Sequence, residues 1–243
     1  MTLVVMPWQD TDDPDREAAM VHTIRHWTHA HQLAVQVCRL DPRKPWCKAD
    51  ALTVGFVDNP HDVTIVADAD CLVDPQTVDG CVQAVANGQP WAIPHWSVLR
   101  LTRAATERVI GGGTPYHPAV LHDALEQPAY LGCATGGVVV IRTDVALSVP
   151  MDGHYEDWGG EDFSWGLALD TLVGGPHRPD IHTDLIHLWH PRHHRAGHGT
   201  NLSSDEPRRL AYFEAWAERD VTTMRRLVEE GRRWPTSNST RRA

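Results

Sequence analysis

Ile65-Val66-Ala67-Asp68-Ala69-Asp70 is the stretch on which the reading of this chain turns. Val63 to Ala67 is a β-branched, apolar run that predicts a buried strand, and it ends in two aspartates separated by one residue. Side chains two apart on an extended segment face the same side, so both carboxylates are expected to point into one site. Two acids at a dry strand end repel one another unless a cation or hydrogen bonds neutralise them. Oxygen donors of this kind suit Mg²⁺ or Mn²⁺ bridging a diphosphate. The competing reading is a solvated loop or helix cap, with Asp74 and Pro75 starting the next helix.

Working outward, strands alternate with helices. Leu3 to Met6 reads as a buried strand stopping at Pro7-Trp8, and Gln9 to Asp15 as a polar turn. Arg16 to His31 has a helical pattern, Leu33 to Val37 reads as a second strand, and Lys48 to Val57 as a helix. After the acidic triplet come a helix over Val73 to Ala86 and a brief strand at Trp91 to Ile93. Gly136 to Ile141 and Ile181 to Leu188 are further strands, with a helix from Gly160 to Leu172 between them. Two amphipathic helices follow, one carrying Leu210, Phe213 and Ala217, the other Val221, Met224, Leu227 and Val228. The alternation implies an α/β architecture, a mostly parallel central sheet flanked by helices. In such sheets ligands bind beyond the carboxyl ends of the strands, where the acidic triplet sits. Residues 1–235 read as one domain and 236–243 as a polar, disordered tail.

Bulk properties exclude several functions. The 243 residues are 42% apolar and 22% charged, ordinary values for a globular protein, and the formal net charge is −10. That balance disfavours a broad footprint on nucleic acid. The five cysteines, Cys38, Cys47, Cys71, Cys81 and Cys133, are odd in number and form no CxxC pair, so reduced core thiols are expected. No apolar run approaches the roughly 20 residues of a membrane span, and Met1 to Val5 is too short for a signal peptide. The expected setting is a cytoplasm. Gly111-Gly112-Gly113-Thr114-Pro115 lacks the GK[ST] ending of a phosphate-cradling P-loop.

Two further motifs carry chemistry. In Tyr155-Glu156-Asp157-Trp158-Gly159-Gly160-Glu161-Asp162 the glycines allow a tight turn and close approach to a ligand. Glu161 and Asp162 then fall in the first turn of a helix, where the dipole favours carboxylates even without a catalytic role. In Ile186-His187-Leu188-Trp189-His190-Pro191, His187 ends an apolar strand and is expected to point into a formed site. His193, His194 and His198 read as solvated imidazoles, although imidazole binds Mn²⁺ or Zn²⁺ well.

A DxD at a strand end, a GG strand, a WGGED motif and a later histidine, in that order, resemble GT-A glycosyltransferases. The similar groups are the β-1,4-galactosyltransferase C-terminal domain, the chondroitin-polymerase type and the polypeptide N-acetylgalactosaminyltransferases. The resemblance spans from about Met1 to His190, with only the motifs specific. It implies a GT-A fold with two added C-terminal helices. It also implies a metal-dependent transferase moving a sugar from a nucleotide donor, by resemblance a UDP-sugar, to a hydroxyl acceptor. Under it Asp70 ligates Mn²⁺ or Mg²⁺ directly and Asp68 holds the ribose or assists through the metal's shell. His187 is the further ligand, with His190 the competing choice. Pro7, Trp8 and Asp10 lie where the family's first strand meets nucleobase and ribose, beside Asp68 and Ala69. Arg16 and Lys48 become diphosphate or uracil contacts. Gly136 and Gly137 match a glycine pair beside donor sugar and acceptor, and Trp158, Gly159 and Gly160 form part of that wall. Asp162 matches the base of inverting members, and Glu161 its donor-sugar-binding neighbour.

The chain departs from the pattern in its shortness and in Asp184, which stands where the galactosyltransferases place a methionine three residues before the histidine. Compact, anchorless chains of this look occur in bacteria and bacteriophages, where proteins, glycans and modified DNA bases are acceptors. The acidic balance favours protein or glycan over DNA. Two rivals remain: a catalytically silent nucleotide-sugar-binding protein on the same fold, and a metallohydrolase built on His177 to His198, which lacks HExxH.

Overall fold

The structure is a computed structural model that describes residues 2–57, 59–121, 124–128, 135–156, 159–191 and 206–233. Its centre is a five-stranded sheet in the order β2-β1-β3-β8-β5. The strands are β1 (Thr2–Gln9), β2 (Ala34–Leu40), β3 (Val63–Ala67), β5 (Trp91–Ala92) and β8 (Val138–Arg142). β1 pairs in parallel with both β2 and β3, while β8 runs antiparallel between β3 and β5. One reversed strand therefore interrupts an otherwise co-directional sheet, the qualification to the mostly parallel arrangement expected.

Period-two alternation sorts the central strands between two faces. Val5, Val66, Val139 and Ile141 pack with α2 (Lys48–Phe56), α6 (Thr143–Ser148) and α7 (Glu161–Val173) on one side. The C-terminal pair α8 (Glu206–Ala217) and α9 (Val221–Gly231) also joins this layer. Val4, Met6, Ile65, Ala67, Val138 and Val140 face α1 (Pro14–Arg25), its π-helical extension His26–Ala30 and α3 (Pro75–Ala86). Because both faces are covered, every residue of β3 is buried. Buried Thr64 meets its polar need through Asn59 Nδ2 and Thr143 Oγ1, each 2.8 Å from its hydroxyl.

A second sheet, in the order β4-β9-β6-β7, was not foreseen. It comprises β4 (Cys71–Leu72), β6 (Ser97–Leu101), β7 (Ala124–Pro128) and β9 (Asp184–His187), covered by α4 (Arg103–Ile110) and α5 (Pro118–Leu121). β9 is shorter than the strand read over Ile181 to Leu188. β1 instead runs on through Pro7-Trp8 to Gln9. Its ladder with β3 ends at Val5, and beyond that point one edge of β1 has no strand partner among the described residues, where proline is tolerated.

Helix starts follow capping rules. Asp13 caps α1 ahead of Pro14, and Asp74 caps α3 ahead of Pro75 through the Thr77 amide at 3.1 Å. Cys38, Cys47, Cys71 and Cys81 are buried free thiols, as expected; Cys133 and residues 236–243 lie outside the described residues.

Packing between α2 and β1 is tight enough to test. A Cβ at Gly55 would lie 2.3 Å from Val5 Cγ1, whereas one at Gly80 in α3 meets nothing within 4 Å. Gly55→Ala should destabilise by about 1–3 kcal/mol through overpacking. Gly80→Ala should instead stabilise by about 0.4–1 kcal/mol. Urea melts of both variants check this, and equal effects would contradict the packing.

Candidate active site

Asp68 and Asp70 reach one site by a route other than strand alternation. β3 ends at Ala67, and Asp68 to Asp70 form a turn closed by the Cys71 amide on Asp68 O at 3.3 Å. Asp68 is pinned by a reciprocal pair. Its amide donates to Gly137 O at 2.8 Å, and its Oδ2 accepts from the Gly137 amide at 3.0 Å. Gly137 adopts φ +85°, and a Cβ there would lie 2.5 Å from Leu185 Cδ1, so glycine is required twice over. The Gly136-Gly137 pair thus stands behind Asp68 and does not line the cleft.

Directly after the turn, β4 pairs antiparallel with β9 in the register Cys71↔His187 and Leu72↔Ile186, and the Leu188 amide donates to Asp70 O at 2.8 Å. This ladder brings a histidine 117 positions away in sequence beside Asp70. Asp70 Oδ2 lies 2.9 Å from His190 Nε2 and 3.9 Å from His187 Nε2. The two candidates read as alternatives therefore sit together on one carboxylate. Among the described residues, these three form the group able to hold a metal, with ligand atoms all within 4.8 Å of one another. Burial alone would raise Asp70, but the flanking imidazoles outweigh it and hold the carboxyl well below the usual range. Burial lowers His187, whereas the bond to Asp70 overcomes burial and raises His190.

The donor set fits a divalent cation. His187 Nδ1 lies 2.8 Å from Leu188 O and His190 Nδ1 3.0 Å from Pro191 O. Carbonyl partners at Nδ1 place the N–H there and leave Nε2 to present a lone pair, the arrangement that orients ligating histidines. One carboxylate and two imidazoles suit Mn²⁺, Zn²⁺ or Fe²⁺.

The second acidic pair faces the first across the cleft. Gly160, at φ +98°, leads into α7, and Glu161 and Asp162 occupy its first turn. Glu161 Oε2 accepts from the Gly159 amide at 3.0 Å, and Asp162 O accepts from the Thr135 amide and hydroxyl at 3.1 and 2.9 Å. Burial, with the Asp162 charge adding to it, raises the Glu161 carboxyl to about 7. Between the two pairs stands Lys48, 5% exposed, whose Nζ lies 2.7 Å from Asp68 Oδ1 and 2.9 Å from Asp162 Oδ1. Burial also raises Asp68 to about 6, helped by the charges of Asp162 and Asp70 and opposed by Lys48.

All these groups open on one cleft of about 980 Å³. Among its lining residues are Pro7, Trp8, Arg16, Lys48, Asp68, Ala69, Asp70, Gly159, Gly160, Glu161, Asp162, His187 and His190. Asp10 instead bonds Trp8 Nε1 at 2.9 Å, pairs with Arg39 and borders a smaller neighbouring cavity. Trp158, His193, His194 and His198 lie outside the described residues.

Motif reading missed the aromatic and apolar parts of the wall: Trp46, Phe163, Trp189, Leu210 and Phe213. The last two come from α8, which Arg208 and Tyr212 tie to buried Asp152, the tyrosine hydroxyl at 2.9 Å. Amphipathicity signals that helix but not what it borders.

Solved structures with the same architecture include the catalytic domain of Drosophila β1,4-galactosyltransferase 7 complexed with xylobiose. It aligns at TM-score 0.54 and 15% identity over 86% of this chain and 79% of that one. The chain has the GT-A fold. A mutant of the same Drosophila enzyme, complexed with manganese, UDP-Gal and xylobiose, aligns at TM-score 0.54 and 14% identity, with the same coverage. GalNAc-T7 with UDP, GalNAc and Mn²⁺ aligns at 0.56 and 12% identity, covering 95% of this GT-A chain and 55% of the other. No protein-family model matches the sequence, and no curated protein sequence matches it significantly. Among the described residues no helix is long and apolar enough to cross a membrane.

If Asp70, His187 and His190 form the cation site, Asp70→Ala should weaken Mn²⁺ binding by at least about tenfold, as losing even an outer partner does. Electron paramagnetic resonance of free Mn²⁺ measures this. Undiminished binding in that variant would place the ion elsewhere. The raised Glu161 carboxyl also has a sign. It favours the folded state while protonated, so its contribution falls as pH rises from its unfolded value through about 7. Glu161→Gln should flatten the fall in melting temperature across that window, and an unaltered slope would contradict the assignment.

Proposed function

We propose that this chain is a metal-dependent glycosyltransferase moving a sugar from a nucleoside-diphosphate sugar, a UDP-sugar by analogy, to a hydroxyl acceptor with inversion. The observation that carries the proposal is the convergence of the Asp70–His187–His190 group and the Glu161–Asp162 pair on one cleft of a GT-A fold. The neighbours' complexes with UDP-Gal, UDP and manganese support a uridine nucleotide and Mn²⁺ as first candidates.

In this reading Asp70, His187 and His190 hold Mn²⁺. A bound Mn²⁺ supplies Lewis-acid neutralisation of the charge on the departing nucleoside diphosphate. Arg16 and Lys48 line the same wall and add positive charge toward the phosphates. Asp68 takes the ribose side of the donor. Asp162 accepts the acceptor hydroxyl's proton as that oxygen bonds to the anomeric carbon, while the bond from the anomeric carbon to the phosphate oxygen breaks. A single displacement from the opposite face inverts the anomeric centre. Glu161, mostly protonated below about pH 7, can donate a hydrogen bond to the donor sugar. The acceptor is a glycan or a protein hydroxyl, which the apolar wall of Phe163, Leu210 and Phe213 can cover on an apolar face.

Intact acids at 68, 70, 161 and 162, all on one cleft and with Asp68 and Asp162 bridged by Lys48, argue against a silent sugar-binding protein. A metallohydrolase built on the histidine-rich segment is less favoured, because His177 bridges to Ala92 beside the central sheet, away from the His187–His190 pair.

Asp162→Asn should lower turnover by about 10²–10⁴-fold, the contribution of general-base catalysis, with UDP–Mn²⁺ binding kept. Proton NMR of the first-formed product should show inverted configuration. Retention would rule out the role given to Asp162.

A further inference from the structure

Lys48 is an expensive residue to place where it stands. It is the first residue of α2, where the helix dipole disfavours a cation, its N-cap Cys47 makes no side-chain capping bond, and its side chain is 5% exposed. A buried ammonium is tolerated only when paired and hydrogen-bonded. Its partners are one acid from each half of the cleft: Asp68 Oδ1 at 2.7 Å, in the turn after β3, and Asp162 Oδ1 at 2.9 Å, in the first turn of α7. Each partner is also held without the lysine, Asp68 by Gly137 and Asp162 by Thr135, whose hydroxyl bonds the Asp162 carbonyl at 2.9 Å and lies 3.4 Å from Oδ1. The ammonium is thus a rigid tie between the carboxylate on the donor side and the carboxylate on the acceptor side.

Resting on the function proposed above, we infer that Lys48 is a positioning residue that couples donor seating to acceptor activation, holding Asp162 in check until a donor occupies the cleft. A carboxylate oxygen committed to an ammonium is a poorer proton acceptor than a free one, so in the donor-free cleft a stray water is not activated. A nucleoside diphosphate entering the same wall offers Lys48 further anionic oxygens. An ammonium has three N–H donors, two of them directed at Asp68 and Asp162, and a phosphate oxygen that engages the third draws the ammonium toward the diphosphate and away from Asp162. Weakening the bond from Lys48 frees Asp162 Oδ1 for the acceptor hydroxyl. The proton then moves from acceptor oxygen to Asp162, and the electron pair of the broken bond from carbon to oxygen leaves with the diphosphate. Lys48 neither gives nor takes a proton.

A lysine that merely binds phosphate, and one that merely stabilises the fold, predict different behaviour. The test compares wild type, Lys48→Met, Lys48→Arg, Asp162→Asn and the Lys48→Met/Asp162→Asn double variant. UDP affinity with Mn²⁺ is measured by calorimetry, and transfer and hydrolysis of a UDP-sugar are measured in parallel. Coupling predicts that Lys48→Met, beyond any loss of UDP affinity, loses about tenfold or more in transfer kcat at saturating donor and shifts its products toward hydrolysis. Lys48→Arg should restore part of the transfer, and Lys48→Met should cost no further turnover in the Asp162→Asn background. A tenfold loss of UDP affinity with unchanged partition between transfer and hydrolysis would overturn the inference and leave Lys48 a phosphate ligand. Full additivity of the two substitutions would overturn it as well. If Lys48→Met does not fold, the arginine variant and its partition decide the matter: unchanged kcat and partition with weakened UDP binding contradict coupling. Wild-type protein that binds UDP with Mn²⁺ but neither transfers nor hydrolyses a sugar defeats the enzymatic reading itself, and the coupling falls with it.

Discussion

Beyond Ala67 the chain leaves the five-stranded sheet through a three-residue turn, and the geometry of the cleft depends on that turn being pinned from two directions. On one side the reciprocal bonds between Asp68 and Gly137 tie it to the strand next to β3. On the other, the two-residue ladder of β4 with β9 starts the second sheet and sets His187 opposite Cys71. Backbone groups, with the Asp68 carboxylate itself, supply both constraints, so Asp68 and Asp70 are aimed before any ligand arrives. Such preorganisation matters because binding or chemistry that must first arrange its own groups loses affinity and rate.

Two rigid carboxylates with two more across the cleft would be a poor design without compensation. Like charges in a partly dry space push one another toward the protonated form. The structure meets this in two ways. Asp70 takes two imidazoles and stays ionised; Asp68 and Asp162 share the Lys48 ammonium. Glu161, which has the Gly159 amide as its hydrogen-bond partner, is the acid whose proton is held up to about 7. Asp70, Asp68 and Glu161 thus differ in protonation tendency according to their neighbours, a spread on which the proposed roles of ligand and hydrogen-bond donor draw.

Much of this was legible in the residues. The β-branched run Val63 to Ala67 is a fully buried strand, Asp74-Pro75 caps a helix, and the two glycines before Glu161 do end in a helix start. His187 and His190 could be read as rivals only, because nothing in local sequence reveals that both approach one carboxylate. The second sheet escaped notice since β4 is two residues long and β6 continues into a helix, so neither presents a full alternating pattern. In the sequence Lys48 offers itself only as a diphosphate or uracil contact implied by resemblance. Its partners lie 20 and 114 positions away, a distance over which spacing carries no information, and only the fold makes it a bridge.

The most direct test of a shared cation-and-diphosphate cleft is thermodynamic linkage between the two ligands. UDP is titrated calorimetrically into the protein with and without Mn²⁺, and Mn²⁺ with and without UDP. Two ligands meeting in one cleft must each strengthen the other by the same factor, expected to be at least about fivefold. UDP binding that is indifferent to Mn²⁺, or no UDP binding in either condition, would contradict the account.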